Sequence, residues 1–62
     1  MEKYYFIFLA QTDYAILVDD AGYKIWLPKS QITCSEEYEL LIGGDEIEVN
    51  IPDWLAEDKE IF

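Results

Sequence analysis

From Lys3 to Gln11, apolar residues occupy both parities of an extended chain. Tyr4, Phe6, Phe8 and Ala10 fall on one side, and Tyr5, Ile7 and Leu9 on the other. A strand apolar on both sides is predicted to be central and covered on both faces, or part of a small closed barrel. Thr12-Asp13 has turn chemistry. Tyr14 to Val18 repeats the two-sided apolar pattern. Asp19-Asp20-Ala21-Gly22 then reads as a tight hairpin connection, with Gly22 supplying a positive φ. The return strand, Tyr23 to Leu27, places Tyr23, Ile25 and Leu27 on one side and Lys24 and Trp26 on the other. Pro28 lacks an N–H, so pairing pauses there or the strand lies at an edge.

Lys29-Ser30-Gln31 leads into Ile32-Thr33-Cys34, a predicted short strand, and Ser35-Glu36-Glu37, a predicted bend. Tyr38 to Ile42 has fair helix propensity but is too short for an isolated helix. Alternation of Tyr38, Leu40 and Ile42 favours an extended segment. Gly43-Gly44-Asp45 reads as a turn. Glu46 to Ile51 alternates, with Ile47, Val49 and Ile51 inward and Glu46, Glu48 and Asn50 outward. Pro52 to Lys59 predicts a short helix, with Pro52 at the first helical position and Asp53 and Glu57 favourable toward its N-terminal half. Trp54 and Leu55 are its expected anchors over an open barrel end, Trp54 largely buried. Ile61 and Phe62 either pack back or fray. The predicted fold class is all-β with one short C-terminal helix. Residues 1–62 form a single domain, a five-stranded antiparallel barrel or strongly bent sheet, SH3-like or OB-like.

Composition supports a folded chain. A domain of 62 residues buries only about 60% of its unfolded surface. It therefore needs dense apolar content, and 52% of this chain is hydrophobic and 16% aromatic, which excludes disorder. Cys34 is the only cysteine and there is no histidine. An intrachain disulfide, a thiol–imidazole nucleophile and a Cys/His metal cluster are thereby excluded. Cys34 reads as a small semi-buried residue. The apolar run Tyr4 to Ala10 is too short to span a bilayer and leads into no signal-peptide cleavage site. A lone free cysteine makes the cytoplasm the expected compartment.

Charge changes the picture most. Fourteen carboxylates oppose four lysines, a formal net charge of −10. Direct nucleic-acid binding needs a basic footprint that this chain lacks, and an anionic membrane would repel it. Ten of the carboxylates lie between Glu36 and Glu60, against Lys59 alone. They form either a solvated surface or an imitation of the phosphate ladder that occupies a basic groove on a partner protein. Carboxylates engage arginine bidentately, as phosphates do. The candidate partner-binding residues are Glu36, Glu37, Glu39, Asp45, Glu46, Glu48, Asp53, Glu57 and Asp58. Trp26 joins them as an apolar anchor, because it shares a strand face with Lys24. No catalytic, cofactor-binding or metal-binding residue is expected. Acid–base work needs a cleft with perturbed carboxyls, and Gly43-Gly44-Asp45-Glu46 does not match a calcium loop. The aromatics could stack bases, but so few cations leave the intervening phosphates repelled.

The stretch Ile25-Trp26-Leu27-Pro28-Lys29-Ser30-Gln31-Ile32 resembles a segment of small bacteriophage and prophage proteins. There, Val/Ile-Trp-Leu/Ile-Pro-Lys-Ser-Gln precedes an acidic strand and a C-terminal Pro-Asp/Glu-Trp-Leu-Ala element. Pro52-Asp53-Trp54-Leu55-Ala56 is similar to that element. With the hairpin ahead of them, the two motifs cover most of residues 14 to 59. The relatives often continue Lys-Gly-Leu-Ile, whereas this chain has Lys59-Glu60-Ile61-Phe62. The resemblance brings no enzymatic activity with it. It implies a small acidic inhibitor of a host system, of the anti-CRISPR or anti-restriction kind. The leading expectation is therefore a non-enzymatic phage-type inhibitor. It would bind a nucleic-acid-handling host protein through an acidic, nucleic-acid-mimicking surface. The alternative is an accessory protein-interaction module, monomeric or homodimeric, that uses Trp26 and an apolar patch and is acidic only for solubility. A third reading is a single-strand-binding barrel.

Overall fold

The computed structural model describes residues 1–61. Phe62, for which packing back or fraying was expected, lies outside them. Five antiparallel strands form one sheet: β1 (Glu2–Gln11), β2 (Ala15–Asp20), β3 (Tyr23–Pro28), β4 (Thr33–Cys34) and β5 (Glu46–Ile51). A helix, α1 (Asp53–Asp58), follows. The strand order is β3-β2-β1-β5-β4. β3 and β4 are its two edges and do not pair, so the sheet stays open where a closed barrel was one expectation.

β1 is central because its two halves serve different neighbours. Glu2 to Ile7 pair with β5, and Ile7 to Gln11 pair with β2. Just ahead of β5, the β1 backbone is still satisfied: Phe8 donates to the Asp45 carbonyl at 2.7 Å and accepts from Gly44 at 2.7 Å. Leu9 is an extra residue, since Phe8 faces Val18 while Ala10 faces Leu17. Such a bulge bends a strand and reverses its parity. Ala10 therefore leaves the side of Phe6 and Phe8 and is exposed, against the simple alternation.

The hairpin is tighter than the four residues Asp19 to Gly22. Asp19 and Asp20 belong to β2, and Ala21-Gly22 alone makes the turn. Their φ values, 51° and 97°, are those of the mirror-image turn that matches strand twist. The Asp19 carboxylate accepts from the Gly22 N–H at 2.8 Å. We expect Gly22→Ala to cost about 1–2 kcal/mol, because a Cβ is strained at positive φ. Ala21→Asn, which tolerates that region, should stabilise. Paired thermal melts check both signs, and an unchanged midpoint for Gly22→Ala would contradict the turn.

One face of the sheet carries the core. Phe6, Phe8, Ile16, Val18, Leu27, Ile47, Val49 and Ile51 pack there beneath Ile32, Leu41, Leu55, Ala56 and Ile61. Alternation in β5 is as predicted. Residues 38–42, expected to be extended, instead contain a 3₁₀ turn at Tyr38–Leu40. It half-buries Tyr38 and sinks Leu41 into the core, leaving Leu40 and Ile42 exposed. A second 3₁₀ turn, Lys29–Gln31, replaces strand after Pro28. Lys29 ties these turns to β1: its ammonium donates to the Gln11 Oε1 at 2.8 Å and lies 4.8 Å from the Tyr38 ring centre.

Pro52 sits one residue outside α1, where its carbonyl accepts from Leu55 and Ala56. The helix ends with Glu60 at φ 57°. Glu60 donates to Glu57 and Ile61 to Ala56, the paired bonds that close a helix through a left-handed residue. This closure folds Ile61 into the core. Trp54, expected to be buried, is 56% exposed. A six-residue helix turns only one narrow stripe inward, and Leu55 and Ala56 occupy it.

Candidate functional site: the uncovered sheet face

α1, Ile32 and the turn from Tyr38 to Leu41 lie over one face of the sheet, and the other face has no covering layer among the described residues. Register fixes its composition. One row crosses Trp26, Leu17 and Ala10, and the next crosses Lys24, Asp19, Ile7 and Glu46. Tyr5 beside Glu48 and Lys3 beside Asn50 follow. The apolar members run diagonally from Trp26 through Leu17 and Ile7 to Tyr5. Trp26, Ile7 and Tyr5 are 46%, 37% and 61% exposed, and Leu17 is half-buried. A contiguous apolar stripe of this kind on a sheet face marks a contact surface more often than a scattered exposed residue does.

Carboxylates border the stripe. Glu46 is exposed and Glu48 half-buried on the β5 side, and Asp19 lies between Ile7 and Lys24. Lys3 approaches Glu48 at 3.7 Å, an exposed pair of small energetic weight. The Tyr5 phenol is held above its ordinary range, chiefly by the neighbouring Glu48 carboxylate, which favours the protonated hydroxyl and repels a phenolate. Tyr5 therefore offers a neutral hydroxyl at the edge of the stripe. On the covered side, burial raises the Tyr38 phenol.

The sequence-predicted residues do not converge. Trp26, Glu46 and Glu48 share the uncovered face. Asp53, Glu57 and Asp58 stand on α1, across the sheet from it. Glu36, Glu37 and Glu39 are exposed on the segment that leads from β4 into the Tyr38–Leu40 turn. Asp45 is exposed, and its carboxylate accepts from the Ile42 N–H at 3.0 Å, closing the turn into β5. The ten carboxylates from Glu36 to Glu60 thus occupy both sides of the sheet and one end.

Sequence reasoning missed Tyr5, Ile7 and Leu17, which it read as part of a second covered face or of a closed barrel. A signal was available in the polar partners: Asp19 and Lys24 share the parity of Leu17 and Trp26, and Glu46 and Glu48 share a parity within β5. A hollow of about 560 Å³ lies at the edge of β3, lined by Asp20, Tyr23, Lys24, Ile25, Lys59 and Glu60. Its charges are two of each sign. Among the described residues no three His, Cys, Asp or Glu side chains could hold a metal, and no helix is long and apolar enough to cross a membrane. Comparison with family models, with curated proteins and with solved structures gave no match.

Proposed function

We propose that this protein is a non-catalytic interaction module that binds a basic protein partner through its uncovered sheet face. Trp26, Leu17, Ile7 and Tyr5 form the apolar centre of the contact. Asp19, Glu46 and Glu48 form an acidic rim. The observation that carries this reading is the apolar diagonal on a face that the core does not use. An apolar centre with a polar rim is the usual anatomy of a protein–protein contact, and the sign of the rim selects a basic partner. A protein with a basic nucleic-acid-binding groove suits that chemistry, as does the inhibitor role that the phage-protein resemblance implies. The carboxylates on α1 are then solvating, because they stand on the far side.

The test compares variants on the two sides. The chain is immobilised, a retained protein is purified, and its affinity is measured for Trp26→Ala, for Glu46→Lys, and for a combined Asp53→Lys, Glu57→Lys, Asp58→Lys helix variant. Loss of a central aromatic anchor costs about 2 kcal/mol or more, roughly thirtyfold in affinity. We expect that loss for Trp26→Ala, a weaker and salt-dependent loss for Glu46→Lys, and little change for the helix variant. The expected partner has a basic surface, and added salt should slow its association. Duplex or single-stranded DNA should give no gel shift in about 0.15 M salt. If the helix variant abolishes binding while Trp26→Ala retains it, phosphate mimicry by the wider acidic surface replaces this reading. A gel shift would favour the base-stacking alternative.

A further inference from the structure

We infer that two copies of this chain pair through the free edge of β3, joining their sheets antiparallel about a two-fold axis at Ile25. β3 leaves some of its backbone groups unused. A two-residue turn makes Asp20 and Tyr23 a hydrogen-bonded pair, and such pairs recur at alternate positions. The bond from the Lys29 N–H to the Tyr14 carbonyl, 2.8 Å, keeps this phase at the other end of the hairpin. Lys24 and Trp26 therefore aim their N–H and C=O groups away from β2. Among the described residues, no strand pairs with them and no hydrogen bond reaches them. Such an edge invites pairing with another strand.

The free groups select one register. Placing Lys24 opposite the Trp26 of a second copy, and the reverse, forms four main-chain hydrogen bonds. Placing Lys24 opposite Lys24 opposes two ammonium groups, and sets Trp26 against Gly22, whose N–H is already bound to Asp19 at 2.8 Å. Placing Trp26 opposite Trp26 sets Lys24 against Pro28, which has no N–H to give. The favoured register also brings each Lys24 ammonium beside the other copy's indole, on the same face of the joined sheet. A cation and an aromatic ring so placed attract. Ile25 meets Ile25 on the opposite face.

The charge distribution leaves this edge open to a second copy, because like-charge repulsion is weakest there. Each chain carries −10, so self-association is repelled over most of the surface. β3 contains no carboxylate and one lysine, and the hollow beside it has two carboxylates and two ammonium groups. The β4 edge is only two residues long. The pairing is isologous and closed, as a two-fold contact must be. It sets the two uncovered faces side by side, doubling the apolar stripe without covering it.

The test is sedimentation equilibrium of the full chain across a concentration series at about 0.15 M salt, with cross-linking alongside. We expect the mass to rise with concentration toward twice 7.3 kDa, and the dimer to strengthen with salt as net repulsion is screened. That salt dependence is opposite to the one expected for a basic partner. Lys24→Pro removes an outward N–H that β2 does not use and should leave a folded monomer by circular dichroism. Lys24→Glu, at an exposed position, should weaken the dimer without touching the backbone. In a Cys34→Ser background, Ile25→Cys should form an interchain disulfide. Directly opposed Cα atoms at a non-hydrogen-bonded pair lie about 4.5 Å apart, within the range of about 4.4–6.8 Å that a disulfide spans. Tyr23→Cys should not cross-link to itself. A monomer at all concentrations, a dimer indifferent to both Lys24 variants, or equal cross-linking through Tyr23→Cys overturns the pairing.

Discussion

Leu55→Ala is expected to unfold this protein or nearly so, while Trp54→Ala leaves it folded. Leu55 is 2% exposed and Trp54 is 56% exposed, although the two are adjacent in a helix of six residues. Removing a buried leucine costs about 2–5 kcal/mol, the lost transfer energy plus the cavity left behind. A single core of this size supplies only about 3–5 kcal/mol in total. The loss has a structural multiplier. Leu55 anchors the helix whose closing bonds, Glu60 to Glu57 and Ile61 to Ala56, carry Ile61 into the core. If α1 detaches, Ala56 and Ile61 leave with it. Denaturant melts followed by far-ultraviolet circular dichroism would decide the matter, and a cooperative Leu55→Ala transition at the wild-type midpoint would refute this account of the helix.

The hairpin and β5 were legible in the sequence because their signals are local. Gly22 can take positive φ, Pro28 cannot donate, and Ile47, Val49 and Ile51 alternate with polar residues. The misreadings share a different origin. Trp54 was expected inward on hydrophobicity alone, but which side of a short helix meets the core depends on how the chain leaves β5. Residues 38–42 alternate like a strand, yet Leu41 is drawn into the core and the segment pairs with neither sheet edge, so local 3₁₀ bonds satisfy the backbone instead. The bulge at Leu9 has no residue signature in this chain, and it alone moves Ala10 to the other side.

Closure was the largest structural question, and it governs how the site is read. Two-sided apolarity in β1 and β2 fits a barrel or a sheet covered on both faces. The same residues fit a one-sided sheet whose second face is apolar for contact. Periodicity within β1 is identical in these cases, so Trp26 could be marked from Lys24 on its own strand, while Tyr5 and Ile7 needed the register that sets them beside Glu48 and Glu46. The strand order, with β3 and β4 apart at the two edges, excludes the barrel, and the placement of α1 and Leu41 on one face alone separates the other two.

Ile16→Asp and Leu17→Asp should therefore differ sharply, though the residues are neighbours of similar hydrophobicity. Ile16 is fully buried between Gln11 and Leu27 in the register. A carboxylate there has no partner, and burying an unpaired charge costs several kcal/mol. That matches or exceeds the stability of the whole domain, so Ile16→Asp should not fold at neutral pH. Leu17 points to the uncovered face between Ala10 and Trp26. An aspartate there remains hydrated and should cost about 1 kcal/mol or less, the packing of a half-buried side chain. Dispersed amide spectra at low protein concentration would separate the two outcomes, and loss of folding in both variants would mean that the second face is also core. A folded Leu17→Asp protein leaves the apolarity of Leu17, Trp26, Ile7 and Tyr5 without a structural reason in the isolated chain. Contact with a partner then supplies the reason, and the same variant should lose that contact, because it places a charge at the apolar centre.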